Sequence, residues 1–156
     1  MKNQLESEML PYQLHNRIGY RLSRLLKITQ ERLEQELSAH AMTRLKWCVM
    51  SSIEWEQIST PSQLATHIGI NRPAVSRVLV QLRQEKLITQ SFSNSDGRSR
   101  QITLTEQGVE KLLLCRPLVD QVESFFLSKM SSRDIVRFER LLDVLLEGED
   151  VLVDKL

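Results

Sequence analysis

The sequence predicts a mainly α fold with a small β-wing, and three observations predict it. Apolar residues recur at helical spacing through most of the chain, two short capped helices crowd together between 60 and 86, and a single hairpin pattern fills 87–104. The 156 residues are 41% hydrophobic and 26% charged, a composition that folds and a length that supports a core.

Taken in order, Leu14, Ile18, Leu22, Leu25, Leu26, Leu33 and Leu37 mark one amphipathic helix from Pro11 to about Ala39, longer than a small domain needs for its own core. His40 and Ala41 break it. Thr43 caps a second helix through Leu45, Val49, Met50 and Ile53, with Trp47 as a core anchor. Thr60 caps and Pro61 opens a short helix that turns Leu64, Ala65 and Ile68 inward and stops at Gly69. Only Gly69-Ile70-Asn71 separates it from the next, the length of a helix-turn-helix connection.

That next helix is capped by Asn71, carries Pro73 in its first turn, and repeats Val75, Val78, Leu79 and Leu82 at i, i+3, i+4 and i+7. Its other face shows Pro73, Arg77 and Gln84, with Ser76 and Val80 beside them and Arg72 and Arg83 on one flank. Leu87 to Phe92 and Arg100 to Leu104 read as strands around a polar tip containing Asp96-Gly97. Thr105 caps a long helix in which Pro117 predicts a kink or break near Cys115. Ser131 and Asp134 resemble a capping box opening a last helix, with Ile135, Phe138, Leu141, Leu142, Leu145 and Leu146 on one stripe up to Gly148.

The formal net charge is only +1, yet the charge is uneven. Between Pro61 and Arg100 the cations Arg72, Arg77, Arg83, Lys86, Arg98 and Arg100 outnumber Glu85 and Asp96, whereas the end of the chain is acidic. No apolar run of about 18 residues and no signal-peptide pattern is present, so a cytoplasmic location without membrane contact is expected. Cys48 and Cys115 have no CxxC spacing, which disfavours a disulfide or zinc knot, and His15, His40 and His67 lack ligand spacing; no metal and no cofactor is expected.

A helix-turn-helix followed by a β-wing puts the second helix in the major groove of DNA. Arg72, Ser76 and Arg77 sit where only the first turns reach base edges, Pro73 can lie on a thymine methyl, and the openings of the two helices at Thr60, Ser62 and Asn71 can hold phosphate. Arg98, with Arg100 nearby, can reach a narrow minor groove from the hairpin, while Asp96 is suited to fixing an arginine, either Arg98 or Arg77. A plain Asp-Gly turn with a solvated arginine face is the bland alternative. The joint presence of helix pair, flanking arginines and hairpin argues against it.

The runs Ser62-Gln63-Leu64-Ala65, Ile68 to Arg77, Leu82, Leu87-Ile88, Asp96-Gly97-Arg98 and Leu104-Thr105-Glu106-Gln107-Gly108 resemble the MarR family of winged helix-turn-helix transcriptional regulators. The resemblance spans Tyr12 to about Gly148. It implies one domain over 1–156, with 11–40 and 109–150 as dimerisation helices and 43–108 as the DNA-binding lobe, its recognition helix at about 72–86 and its wing at about 87–104. It implies a homodimeric repressor on a palindromic operator in double-stranded DNA, with Asp96 and Arg98 supporting minor-groove contact. It also implies release by a small-molecule effector. Tyr12, His15, Arg17, Tyr20, Arg21 and Trp47 supply aromatic and cationic groups for an acidic aromatic one.

Three rivals are weighed. A winged-helix module that binds protein would not need arginine at both helix start and wing tip. A redox-responsive regulator would use Cys48 or Cys115, which requires an exposed thiolate. An enzyme would need a converging nucleophile and base or a phosphate loop, and no such set occurs by spacing.

Overall fold

Local capping chemistry fixes where the helices begin. In the computed structural model, which describes residues 12–92, 100–149 and 152–153, side-chain oxygens of Thr43, Thr60, Asn71, Thr105 and Ser131 each accept the backbone N–H three residues on. The elements are α1 (Ile18–Ser38), α2 (Arg44–Glu54), α3 (Pro61–Ile68), α4 (Arg72–Gln84), β1 (Ile88–Phe92), β2 (Arg100–Leu104), α5 (Glu106–Leu127) and α6 (Ser132–Leu146). A mainly helical winged helix-turn-helix results, as the periodicity predicts.

Two expectations are corrected. The first long helix begins at Ile18 rather than Pro11, after a separate 3-10 turn over Leu14–Asn16 and an extended Arg17. The cause is local competition for the first-turn acceptors. Arg21 Nε donates to the His15 carbonyl at 2.6 Å and its Nη2 to Asn16 Oδ1 at 3.2 Å, so side chains hold groups that a longer helix would use. Of the kink or break expected at Pro117, the break is absent: α5 runs as one helix through it. Pro117 and Leu113, whose carbonyl loses its partner, both lie on the exposed face, where solvent satisfies that carbonyl.

The core gathers Leu64, Ala65 and Ile70 from α3 and its turn, Val75, Leu79 and Leu82 from α4, Val49, Met50 and Ile53 from α2, Ile88 and Ile102 from the strands, and Leu112 and Cys115 from α5. Ile70 is fully buried, as a residue plugging the angle between α3 and α4 must be. The strands pair antiparallel from Ile88 with Leu104 to Phe92 with Arg100, and the Ile102 N–H donates to Ser59 at 2.8 Å, pinning the ribbon to the loop before α3.

The end of α4 is a Schellman closure. Lys86 takes φ 59, its N–H donates to Arg83 at 3.0 Å, and the Leu87 N–H reaches back to Leu82 at 2.9 Å. The Leu87 carbonyl then accepts the Thr105 N–H at 3.0 Å, while the Thr105 hydroxyl donates to Lys86 at 2.8 Å. Gly108 lies so close that a Cβ there would collide with the Leu87 carbonyl oxygen. In contrast, α6 has no buried residue, and Val136, Leu141, Val144, Leu145 and Leu146 are exposed along it. Leu22, Leu25, Leu26 and Ile28 of α1 are exposed as well.

Gly108→Ala is expected to destabilise the fold by on the order of 1–3 kcal/mol, because the obstructing atom is backbone and has nowhere to go. A urea titration should show a lower midpoint with an unchanged slope, and an unchanged midpoint would refute the close approach.

Candidate nucleic-acid interface

The alternation of buried and exposed positions along α4 builds this surface. Ala74, Val75, Val78, Leu79 and Leu82 face inward, which leaves Arg72, Pro73, Ser76, Arg77 and Val80 exposed. Asn71 caps the helix by accepting from the Ala74 N–H at 2.9 Å. The opening of α3 lies beside it. Arg72 Nη2 donates to Ser62 Oγ at 2.6 Å, so the two helix N-termini and one guanidinium share a single edge of the lobe. Two partial positive ends and a full positive charge there favour an anion.

Thr60 is committed locally, accepting from the Gln63 N–H at 3.3 Å and donating to Gln63 Oε1 at 2.8 Å. The printed geometry joins Ser62 and Arg72, while Thr60 and Asn71 serve as the caps of α3 and α4, and Ser76 and Arg77 are exposed further along α4. Asp96 and Arg98 lie outside the described residues, and Arg100 is described only in its backbone pairing with Phe92.

Two contacts that position this surface have no signature in the sequence. Arg83 Nη1 donates to Gln90 Oε1 at 2.6 Å, tying the far end of α4 to β1. Lys46 of α2 is buried and pairs with Glu85 at the end of α4 at 2.5 Å, across a separation of 39 residues. Such a pair contributes little net stability, but removing one partner would strand a buried charge, so it fixes where α4 sits against α2.

The six proposed effector contacts divide into two groups. Near the start of α1, His15 meets Tyr20 edge-on at 5.1 Å, Arg17 lies 4.6 Å over Tyr12, and Arg21 holds the preceding turn. A cleft of about 360 Å3 there is lined by His15, Tyr20, Arg21, Arg24, Leu25 and Ile28. Trp47 belongs to a neighbouring groove that shares Leu25 and Ile28 with this cleft. It lines an apolar groove of about 870 Å3 between α1, α2, α5 and α6, with Leu33, Cys48, Phe126 and Phe138 among its walls. Arg32, 4.0 Å over the Phe125 ring, and Lys129 at 4.4 Å add cations to that groove.

Burial pushes the Cys48 thiol above its ordinary pKa despite the opposing charge of Arg44, and burial raises Cys115 against Lys111. Both thiols are thereby held protonated near neutrality, the unreactive form. Among the described residues no three His, Cys, Asp or Glu side chains gather as metal ligands, and no helix is long and apolar enough to cross a membrane.

Comparison with known proteins gives the same lobe. Residues 42–99 match the model of the MarR family. The chain also superposes on solved MarR-family structures. The MepR–DNA complex of S. aureus is 19% identical at a TM-score of 0.78, covering 85% of this chain and 98% of that one. A mutant MarR from E. coli complexed with operator DNA is 21% identical at 0.76, covering 83% and 93%. CouR from Rhodococcus jostii RHA1 bound to p-coumaroyl-CoA is 18% identical at 0.77, covering 85% and 94%.

Proposed function

We propose that this chain, whose lobe is of the MarR family and whose fold is the MarR winged helix, is a DNA-binding transcriptional regulator. It acts in the cytoplasm as a homodimeric repressor on a palindromic operator and is released by a small-molecule effector. The observation that carries the reading is the shared edge where α3 and α4 begin, with Arg72 held by Ser62 and with Ser76 and Arg77 exposed beyond it. A protein-binding winged helix would not need cations on that edge, and no catalytic group converges there.

The roles assigned here rest on residue chemistry and on where α3 and α4 begin. Backbone N–H groups at the start of α3 and the Ser62–Arg72 pair take phosphate, which sets register without reading sequence. Arg77 and Ser76 face base edges, and Arg77 is suited to a bidentate contact with guanine. Asp96, Arg98 and Arg100 are assigned to the minor groove on the sequence pattern alone.

Dimerisation is supported by the apolar stripe of α6, which lacks a buried residue, together with the exposed leucines of α1. Burying such a stripe contributes roughly 25 cal/mol per Å2 of apolar surface removed from water. An acidic aromatic effector fits the cations and rings of the α1 cleft and of the Trp47 groove. The raised thiols favour this over redox control through Cys48 or Cys115.

Arg77→Ala should weaken binding to promoter DNA from the protein's own locus by about 1–3 kcal/mol and relax base preference, as read by fluorescence anisotropy against operator variants. Arg98→Ala should weaken it without altering dimer stability, and unchanged affinity in both would defeat the assignment. Leu145→Glu places a charge in the α6 stripe and should shift sedimentation from two copies to one. A thermal-shift screen of aromatic acids and their thioesters should find a compound that stabilises the protein and releases DNA; its absence from a broad screen would count against the effector class.

A further inference from the structure

We infer that Val80 is a specificity-determining residue: together with Pro73 it forms an apolar line on the outward face of α4 that selects the 5-methyl groups of two thymines, one on each side of the base met by Arg77. The inference rests on the reading of the lobe as a DNA binder and goes beyond it by naming what α4 selects. Val80 is 41% exposed. Val75, Val78, Leu79 and Leu82 of the same helix are buried, and Val80 packs into no apolar cluster among the described residues.

Helical geometry puts this valine at the middle of the free face. At 3.6 residues per turn Val80 points about 160° away from the fully buried Leu82, on the same line as Pro73. Ser76 and Arg77, four and three residues earlier, are its neighbours on that face, and both are exposed. Gln81 and Gln84 are exposed beyond it, so the valine stands alone among polar and cationic groups. Its branched side chain makes a poorer helix residue than alanine, and at an outward position it gains little within the subunit.

Charge and chemistry choose the occupant. From Arg72 to Gln84 the helix carries arginines and no carboxylate, which suits a polyanion better than a protein surface. In the major groove thymine alone offers an apolar group, its 5-methyl, and an aliphatic side chain is what recognises it. The spacing then sets a pattern. Pro73 and Val80 are seven residues apart, about 10 Å along the axis, or about three base steps for a helix lying along the groove. Arg77 lies between them and is suited to guanine. The preferred motif therefore holds two A·T pairs about three steps apart, with a G·C pair between them.

The test begins with the full chain selecting duplexes from a pool with a randomised centre. Fluorescence anisotropy then compares the selected duplex with copies in which one thymine at a time is replaced by uracil, a change that removes only the 5-methyl group. The unaltered chain should lose about fourfold in affinity at one thymine in each copy of the selected motif, as expected for one methyl left unburied. Val80→Ala, which puts a better helix former at an exposed position and so keeps the fold, should bind the thymine and uracil forms equally at that position. Pro73→Ala should do the same at a second thymine about three steps away. Uracil losses that persist unchanged in Val80→Ala, no uracil loss anywhere, or a selected motif without the paired thymines would overturn the methyl reading and leave DNA binding standing. Failure of the unaltered chain to enrich any sequence would overturn both.

Discussion

The main chain of one residue, Leu87, holds the working parts of this molecule in register. Its N–H closes α4 onto Leu82, its carbonyl accepts Thr105 at the opening of α5, and the ribbon starts at the next residue. Because these are main-chain bonds in a buried place, no side-chain exchange can substitute for them, and an unpaired group there would cost about 1–3 kcal/mol. The geometry is tight enough that only glycine fits at 108. The consequence is mechanical. The helix α4, the ribbon beside it and the long helix α5 all leave a single point at fixed angles, so displacement of one is felt by the others.

Against that frame, the electrostatics are economical. The protein is close to neutral, and what it offers a polyanion is an arrangement: two helix N-termini side by side, with Arg72 bridging them through Ser62 at 2.6 Å. Helix ends contribute about half a charge each and act within a turn, so what joins the two openings is the reach of the Arg72 guanidinium to Ser62. Lys46–Glu85 and Arg83–Gln90 make no contact with the exposed edge, yet they anchor the other end of α4 to α2 and β1. A helix pinned at both ends presents its outward side chains with little conformational freedom to lose on binding.

Most of the fold was legible from the sequence because its boundaries are written locally. Thr43, Thr60, Asn71, Thr105 and Ser131 each act within three residues of themselves, and the apolar periods between them dictate which face is buried. The failures have a common cause. The start of α1 depends on Arg21 folding back over His15 and Asn16, and the continuity of α5 through Pro117 depends on that proline facing water. Neither orientation can be read from residue type alone. The site was legible in part for the same reason. Exposed residues of α4 follow from its period, whereas Lys46 with Glu85 joins positions distant in sequence and carries no pattern. The grouping of Trp47 with Tyr12, His15 and Tyr20 spans two neighbouring clefts that share Leu25 and Ile28, a relation that no spacing in the sequence encodes.

In the homodimer proposed above, the bare stripe of α6 makes the chain answerable to its own abundance. A helix with no interior of its own would there draw its order from a second copy, so the folded population of that dimer would follow mass action as well as temperature. Dilution then acts as a denaturant: when few copies are present the last helix loosens first, while the capped and packed lobe survives alone.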